Sequence, residues 1–187
     1  MKLILSKIKT YFGKLDKLLL FMCIGIASFA VFIQYTLYEN DISSAVTASQ
    51  YKTQIIAFIA GIVIAMALAA INYKYLAKLW FIYVPLAMGL TLLLFTPLGI
   101  QREGADDIGW LDLGIMTIQP SEILKLAFIL SLAFHLSKVE DRMNEPIHFI
   151  LLCIHGAIPT LLIRQTGDDG SALVFLFIFI CMMFAAG

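Results

Sequence analysis

Long runs of apolar residues alternate with short polar segments along this 187-residue chain. A helix needs about 20 apolar residues to cross the roughly 30 Å hydrocarbon core of a membrane. Six runs meet or approach this length, near residues 18–38, 53–71, 79–100, 119–137, 147–163 and 171–187. They are too long and continuous for barrel strands, and lipid offers no water to an unpaired backbone group. The pattern therefore predicts an all-α integral membrane protein of about six transmembrane helices.

Composition supports this class. Hydrophobic residues make up 61% of the chain and charged residues 14%, with a mean hydropathy of +0.92. Soluble domains are nearer ~45–50% apolar and ~25% charged. The formal net charge is zero, so nothing indicates a nucleic-acid partner. Cys23, Cys153 and Cys181 fall within apolar runs, and we expect small buried side chains there, with no disulfide or metal role.

Basic residues concentrate on one side of the predicted bundle. Nine of them lie in the N-terminal tail or after the second and fourth spans: Lys2, Lys7, Lys9, Lys14, Lys17, Lys74, Lys78, Lys138 and Arg142. The opposite loops are mainly acidic, with Arg102, Arg164 and Lys52 as exceptions. Because positive charge stays cytoplasmic, the N-terminus is predicted to be inside. Residues 1–17 then form a cytoplasmic basic tail or a short in-plane helix, and residues 18–187 form a polytopic membrane domain.

Small residues recur at every fourth position of the second span, at Ala57, Gly61, Ala65 and Ala69. Such a stripe allows another helix to approach closely within a membrane. We expect it to be a packing surface.

Three histidines, His135, His148 and His155, could in principle form a metal site or a proton relay. His148 and His155 are seven residues apart and share a helix face, but no carboxylate joins them at ligand spacing. Interfacial or core positions are therefore favoured over a metal or relay role.

Candidate chemistry concentrates in residues 99–125, where a Gly- and Asp-rich loop leads to Trp110 and then into the fourth span. Glu122 lies in the first turn, where the helix dipole favours a negative charge. Lys125 follows three residues later, roughly 8 Å inside the helix. Membrane-embedded lysines usually face a bundle interior or a wet cavity, because lipid exposure costs ~2.5–3.5 kcal/mol. Alternatively, Lys125 extends outward and pairs with Glu122 to secure the helix end.

The same residues resemble a signature of the SEDS family, which contains the rod-shape protein RodA, the divisome protein FtsW and their sporulation relatives. The resemblance is carried by residues 109–114, by 118–122 and by Lys125. A second stretch, residues 168–174, is similar to the family segment that opens the sixth span. The chain is most similar to RodA, and its topology matches an N-terminal portion of a SEDS bundle of about ten spanning helices.

The chain departs from the family pattern at two places. The family usually has an arginine directly before the loop tryptophan, where Gly109 stands here, and Arg102 is the nearest arginine. Thr166-Gly167 replaces the family's Gln-Pro before the second motif.

The resemblance implies a peptidoglycan glycosyltransferase that polymerises lipid II in the bacterial cytoplasmic membrane, in cell-wall synthesis, cell shape or division. A class B penicillin-binding protein is the implied partner. No cofactor is evident from the residues, although the resemblance allows a divalent cation in the full-length enzyme. The family's catalytic Asp belongs to a later outer loop, so the chain is expected to be truncated before it and to contain no catalytic residue.

Five residues are the candidate substrate-binding set: Trp110, Gln119, Glu122, Lys125 and Asp168. Lys125, held by Glu122, would offset charge that develops on the diphosphate leaving group, and Trp110 would pack against sugar or a lipid chain. Two alternatives stay open. One is a flippase or transporter of a lipid-linked precursor, and the other is a non-catalytic membrane scaffold for the penicillin-binding protein.

Overall fold

The computed structural model describes residues 16–40, 47–102, 104, 106–114, 117–143 and 145–187. The predicted basic tail lies outside this part except for its last two residues, so its conformation stays a prediction. The chain divides into two compact units, with the boundary after Asn72.

In its described residues the first unit contains two long helices, α1 (Lys17–Glu39) and α2 (Ala48–Ala70). The carboxylate of Asp16 accepts a backbone N–H from the first turn of α1. Thr47 and Gln50 form a capping box at the start of α2, so each satisfies a backbone N–H of the other. These caps explain why both helices begin where the polar segments end.

The small-residue stripe of α2 faces α1. Ala57, Gly61 and Ala65 line an apolar groove of about 290 Å³ together with residues of α1. Near one end of the pair, the rings of Tyr38 and Tyr51 stack with centroids 6.1 Å apart. A Cβ built on Gly61 would meet no atom within 4 Å among the described residues. The stripe therefore borders a groove, and the close approach expected from it does not occur at Gly61.

The part of the second unit that the structure describes contains five helices and two 3₁₀ turns. They are α3 (Tyr73–Lys78), α4 (Trp80–Leu92), a turn at Leu93–Phe95, α5 (Pro120–Val139), a turn at Glu140–Arg142, α6 (Pro146–Gln165) and α7 (Asp169–Ala186). Proline occupies the first helical position of both α5 and α6, where its missing N–H removes no helical hydrogen bond.

The core of this unit lies where α5, α6 and α7 meet. Leu132, Leu152, Ile163 and Phe175 have no exposed surface, and Phe128 is almost completely buried. The rings of Phe128 and Phe175 lie 5.5 Å apart and are tilted, a favourable aromatic arrangement. Elsewhere the helices present large apolar side chains on their outer faces, as expected of helices surrounded by lipid.

Within the described residues, four helical segments are long and apolar enough to span a membrane: Lys17–Glu39, Gln50–Ala70, Pro146–Gln165 and Asp169–Ala186. They correspond to the first, second, fifth and sixth predicted spans. The third corresponds to the shorter apolar segment Trp80–Phe95, and the fourth to α5, which has 20 residues. The helical membrane class is therefore confirmed, while the count of six spans and the topology stay predictions.

The helical segment of the third predicted span, α4 with the 3₁₀ turn after it, ends before the apolar run ends. The 3₁₀ turn stops at Phe95, and Thr96 has an extended backbone (φ −104°, ψ 171°). Proline disfavours helical geometry in the residue before it, so Pro97 accounts for the change. The helix therefore ends before residue 100, and the bounds of the third span stay a prediction.

The chain after Pro97 forms a small antiparallel sheet that the apolar pattern did not predict. Its strands are β1 (Gly99–Ile100), β2 (Trp110–Asp112) and β3 (Thr117–Ile118), with β2 in the middle. A turn after β2 is closed by the N–H of Gly114, which has a φ of +78° and donates to the Asp112 carboxylate at 2.8 Å. The sheet thereby fixes Trp110 between the ends of α4 and α5.

Candidate functional site

Lys125 and Glu122 form an ion pair at the start of α5. Lys125 Nζ donates to Glu122 Oε1 at 2.6 Å. The lysine side chain is only 18% exposed, whereas the glutamate side chain is 60% exposed. Since α5 places the glutamate one turn closer to the helix start, the ammonium extends toward that end. This contact was expected from the spacing, and it is compatible with both a cavity cation and an outward anchor.

Trp110 has a cationic neighbour that the spacing of residues did not indicate. The guanidinium carbon of Arg102 lies 3.4 Å from the centroid of the Trp110 ring, within the range of a cation–π contact. Pairing of β1 with β2 places Ile100 opposite Trp110, which brings the residues just after β1 alongside the indole. Arg102 thus lies against the tryptophan even though the two are eight positions apart in sequence.

Gly109 stands where the family usually has an arginine. A Cβ built on Gly109 would meet the carboxylate of Asp107, a flexible side chain that can move. The amide nitrogen of Gln119 lies 3.9 Å from the same position. The cation beside Trp110 in this chain is Arg102. Gln119, half-buried at the start of α5, lies beside the beginning of β2.

Ser121 is a buried polar residue beside the ion pair that was not among the predicted site residues. It is 3% exposed, and its hydroxyl has no hydrogen-bond partner among the described residues. An unsatisfied buried hydroxyl costs about 1–3 kcal/mol of folding free energy, and this one is next to Glu122 in the chain. The only signal in the sequence was its place between Pro120 and Glu122.

Asp168 has a structural role at the start of α7. Its carboxylate accepts the N–H of Ser171 at 2.7 Å, a standard N-cap contact. The neighbouring Asp169 approaches Arg164 at 3.6 Å, with both side chains largely exposed. Capping alone explains an aspartate here, so a substrate contact for Asp168 stays a prediction.

The two family-like stretches meet through the backbone. The N–H of Ile108 donates to the carbonyl of Thr166 at 2.9 Å. Gly167 has a φ of +87°, and a Cβ built on it would lie 3.3 Å from Cα of Asp107. The loop before Trp110 therefore packs on the turn between α6 and α7.

His148 and His155 share a helix face in sequence, but in the structure His155 pairs with His135 of another helix. His135 Nδ1 and His155 Nδ1 lie 3.1 Å apart, and His155 Nε2 lies 3.0 Å from the Ser131 hydroxyl. His148 lies 3.3 Å from Glu145 instead. Within the described residues, no three His, Cys, Asp or Glu side chains are placed to hold a metal ion. His135 and His155 therefore form a hydrogen-bonded pair between α5 and α6.

Two of the five predicted site residues are thus in direct contact, namely Glu122 and Lys125. We call the set Arg102, Trp110, Gln119, Glu122 and Lys125 the loop–helix site, because it comprises the loop between α4 and α5 and the first turns of α5. The ion pair of Lys125 with Glu122 and the contact of Arg102 with Trp110 are separate contacts, which together provide two cations, one carboxylate and one indole ring. Such groups suit an anionic ligand that also has an apolar or sugar part.

Comparison with known proteins gives a consistent family. Residues 15–187 match the sequence model described as cell cycle protein, FtsW/RodA/SpoVE. The probable peptidoglycan glycosyltransferase FtsW of Trichlorobacter lovleyi is 30% identical, with 92% of this chain and 46% of the relative covered. The peptidoglycan glycosyltransferase RodA of Treponema pallidum is also 30% identical, with 92% and 39% covered. Since relatives from both branches match, the closer similarity to RodA in function stays a prediction.

A solved structure shares the fold. One chain from "Structural coordination of polymerization and crosslinking by a peptidoglycan synthase complex" superposes with a TM-score of 0.72 at 23% identity. The superposition covers 90% of the present chain and 47% of the other. The present chain spans about half the length of the curated relatives it matches. Sequence model, relatives and fold agree, and the chain belongs to the FtsW/RodA/SpoVE family, also called the SEDS family, as a multi-pass membrane protein.

Proposed function

We propose that this chain acts in SEDS-type peptidoglycan synthesis, and that its loop–helix site binds the diphosphate end of lipid II at the outer face of the bacterial cytoplasmic membrane. The curated relatives are named peptidoglycan glycosyltransferases. The observation that carries the proposal is Lys125, whose side chain is only 18% exposed and whose ammonium is held at 2.6 Å by a carboxylate near the start of a membrane helix.

The chemistry of glycan polymerisation requires cations near the diphosphate. An acceptor hydroxyl oxygen forms a bond to the anomeric carbon of the donor sugar, and the bond from that carbon to the diphosphate breaks. The hydroxyl proton passes to a carboxylate, which the family resemblance places in a later outer loop. The diphosphate leaves with the electron pair, so negative charge grows on its oxygens. A fixed cation stabilises this charge strongly where water is excluded.

The Lys125–Glu122 pair suits this role because its two members differ in exposure. Glu122 is largely exposed and can exchange its lysine contact for water. A diphosphate bears more negative charge than one carboxylate, so it competes effectively for the ammonium of Lys125. Glu122 then holds the lysine in position before substrate arrives.

The loop supplies the second part of the site. Arg102 adds a guanidinium, whose planar donors can bind two phosphate oxygens at once. Its stacking on Trp110 restricts it to one region of the loop. The indole of Trp110 offers an apolar surface for a sugar ring or the first part of the lipid chain.

We also propose a class B penicillin-binding protein as the partner. The superposed structure belongs to a peptidoglycan synthase complex described as coordinating polymerization and crosslinking. Polymerisation and crosslinking act on the same glycan strands, so a physical association of the two activities is chemically reasonable.

Binding of lipid II to the reconstituted chain tests the proposal. Native mass spectrometry would compare the wild type with Lys125→Ala, Lys125→Arg and the control Lys52→Gln, which removes an exposed lysine of α2. Loss of a charged hydrogen bond corresponds to roughly 10- to 100-fold weaker binding in Lys125→Ala. Lys125→Arg should retain most of the affinity, and the control should retain all of it.

Unchanged binding in Lys125→Ala would contradict the proposed site. A second readout separates binding from transport, since the same chain in vesicles can be tested for the sidedness of labelled lipid II. Chain-dependent movement of the lipid between leaflets would favour a transporter and count against the glycosyltransferase proposal.

A further inference from the structure

A second charged site lies far along α5 from Lys125. A cavity of about 420 Å³ is enclosed by α3 and the last three turns of α5. Three of its lining residues are lysines: Lys74 and Lys78 on α3, and Lys138 near the end of α5. We call it the lysine cavity.

The charged residues that line it are basic. None of the residues that line it is acidic, although Glu140 and Asp141 follow in the next turn of the chain. Lys78 and Lys138 are exposed at the rim. The Lys138 ammonium lies 5.5 Å from the Phe134 ring, a weak cation–π contact that favours its position over the cavity.

The remaining lining is mostly apolar. Leu130, Ala133 and Phe134 form a wall along α5 that continues from the lysines toward the middle of the helix. Ser137 also contributes, but its hydroxyl donates to the carbonyl of Phe134 at 2.8 Å. Lys78 and Lys138 therefore supply N–H donors at the rim, and the wall supplies a surface of lipid-like polarity.

The cavity also lies on the side of the membrane predicted to be cytoplasmic. The positive-inside pattern places Lys74, Lys78 and Lys138 there. Anionic lipids attract basic segments near the membrane surface by about 1 kcal/mol per residue, and basic pockets between membrane helices bind anionic headgroups. The cavity thus combines a cationic rim, an apolar wall and an anionic leaflet beside it.

We propose that the lysine cavity binds the phosphate headgroup of an anionic phospholipid, with one acyl chain along the apolar wall of α5. The ligand is a lipid of the phosphatidylglycerol or cardiolipin type. This site is independent of the loop–helix site, since the two share no residue and lie near opposite ends of α5.

Lipid selectivity of the purified chain tests the inference. The chain is incubated in mixed micelles of phosphatidylglycerol and phosphatidylcholine, and the lipids bound to it are quantified by native mass spectrometry. The wild type should retain phosphatidylglycerol preferentially. Lys78→Gln/Lys138→Gln should reduce this preference by roughly 10- to 30-fold, because it removes two basic residues that each favour an anionic lipid surface.

Two variants control for charge and folding. Lys17→Gln/Lys52→Gln removes the same net charge from α1 and α2, outside the cavity lining, and should keep the preference. Lys78→Arg/Lys138→Arg keeps both cations and should also keep it. Equal retention of phosphatidylglycerol by Lys78→Gln/Lys138→Gln and the wild type would overturn the inference, as would an equal loss in the Lys17→Gln/Lys52→Gln control.

Inorganic phosphate distinguishes a lipid site from a simple phosphate site. Because phosphate lacks an acyl chain to occupy the apolar wall, excess phosphate should leave most of the bound lipid in place. Full displacement by phosphate alone would overturn the assignment to a lipid.

Discussion

Replacement of Lys125 by methionine separates the two explanations of this lysine. Methionine has a similar length and an apolar side chain that fits a helix facing the bundle interior. If Lys125 serves to hold the helix end, its loss should destabilise the protein. If it serves to bind an anion, its loss should remove binding and leave the fold intact or more stable, because active sites retain groups that are costly to the fold.

The magnitude follows from the exposure of the two side chains. A lysine in the membrane interior costs ~2.5–3.5 kcal/mol, less near a helix end where the charge approaches the interface. Its pair with Glu122, which is 60% exposed, returns only about 0.2–1 kcal/mol. Lys125 therefore lowers the free energy of unfolding by about 1–2 kcal/mol, and Lys125→Met should raise it by about 1 kcal/mol.

The assay is equilibrium unfolding in mixed micelles, paired with lipid II binding on the same samples. Glu122→Gln is the matched variant, since it leaves the lysine without its partner and should lower the free energy of unfolding by about 0.5–1 kcal/mol. In the double variant the Glu122→Gln effect should disappear, because the lysine is gone. A Lys125→Met protein that is less stable by about 1 kcal/mol or more and binds lipid II normally would refute the reasoning.

Three further predictions concern positions outside the ion pair. Asp168→Ala should lower the free energy of unfolding by about 1 kcal/mol through loss of the α7 cap, and Asp168→Asn should lower it by much less. Equal effects of the two substitutions in chemical denaturation would show that capping is unimportant. Gly156→Ala should destabilise by about 1–3 kcal/mol, because its Cβ would lie 2.6 Å from a phenylalanine ring of α7, whereas Gly61→Ala meets open space and should cause no loss. Comparable melting temperatures for these two variants would contradict the α6–α7 packing. Arg102→Ala should change the fluorescence of Trp110 in a chain whose other tryptophan is phenylalanine, and an unchanged spectrum would place the guanidinium elsewhere.

The helices were largely predictable, because apolar length and end signals are local properties of the chain. The first predicted span, 18–38, matches Lys17–Glu39, and the fifth, 147–163, matches Pro146–Gln165. The third apolar run continues past the end of its helix, because hydropathy does not distinguish an apolar helix from an apolar loop. Pro97 carried the missing signal, since the residue before a proline favours extended backbone.

The site was predictable only where its contacts are local. Glu122 and Lys125 are three residues apart on one helix, so their contact follows from helical geometry. Arg102 meets Trp110 only because two short strands pair, and strands of two or three residues leave no alternating pattern to read. The pair of His135 and His155 likewise depends on how α5 packs on α6, which one sequence does not specify.

Photoaffinity labelling tests the central claim most directly. A lipid II analogue with a photoreactive group next to its diphosphate would be crosslinked to the reconstituted chain, and the labelled peptides would be mapped by mass spectrometry. The proposed site predicts label within residues 99–125, with competition by unlabelled lipid II and strong reduction in Lys125→Ala. Label confined to the groove between α1 and α2, or label in the 99–125 segment that Lys125→Ala does not change, would contradict it.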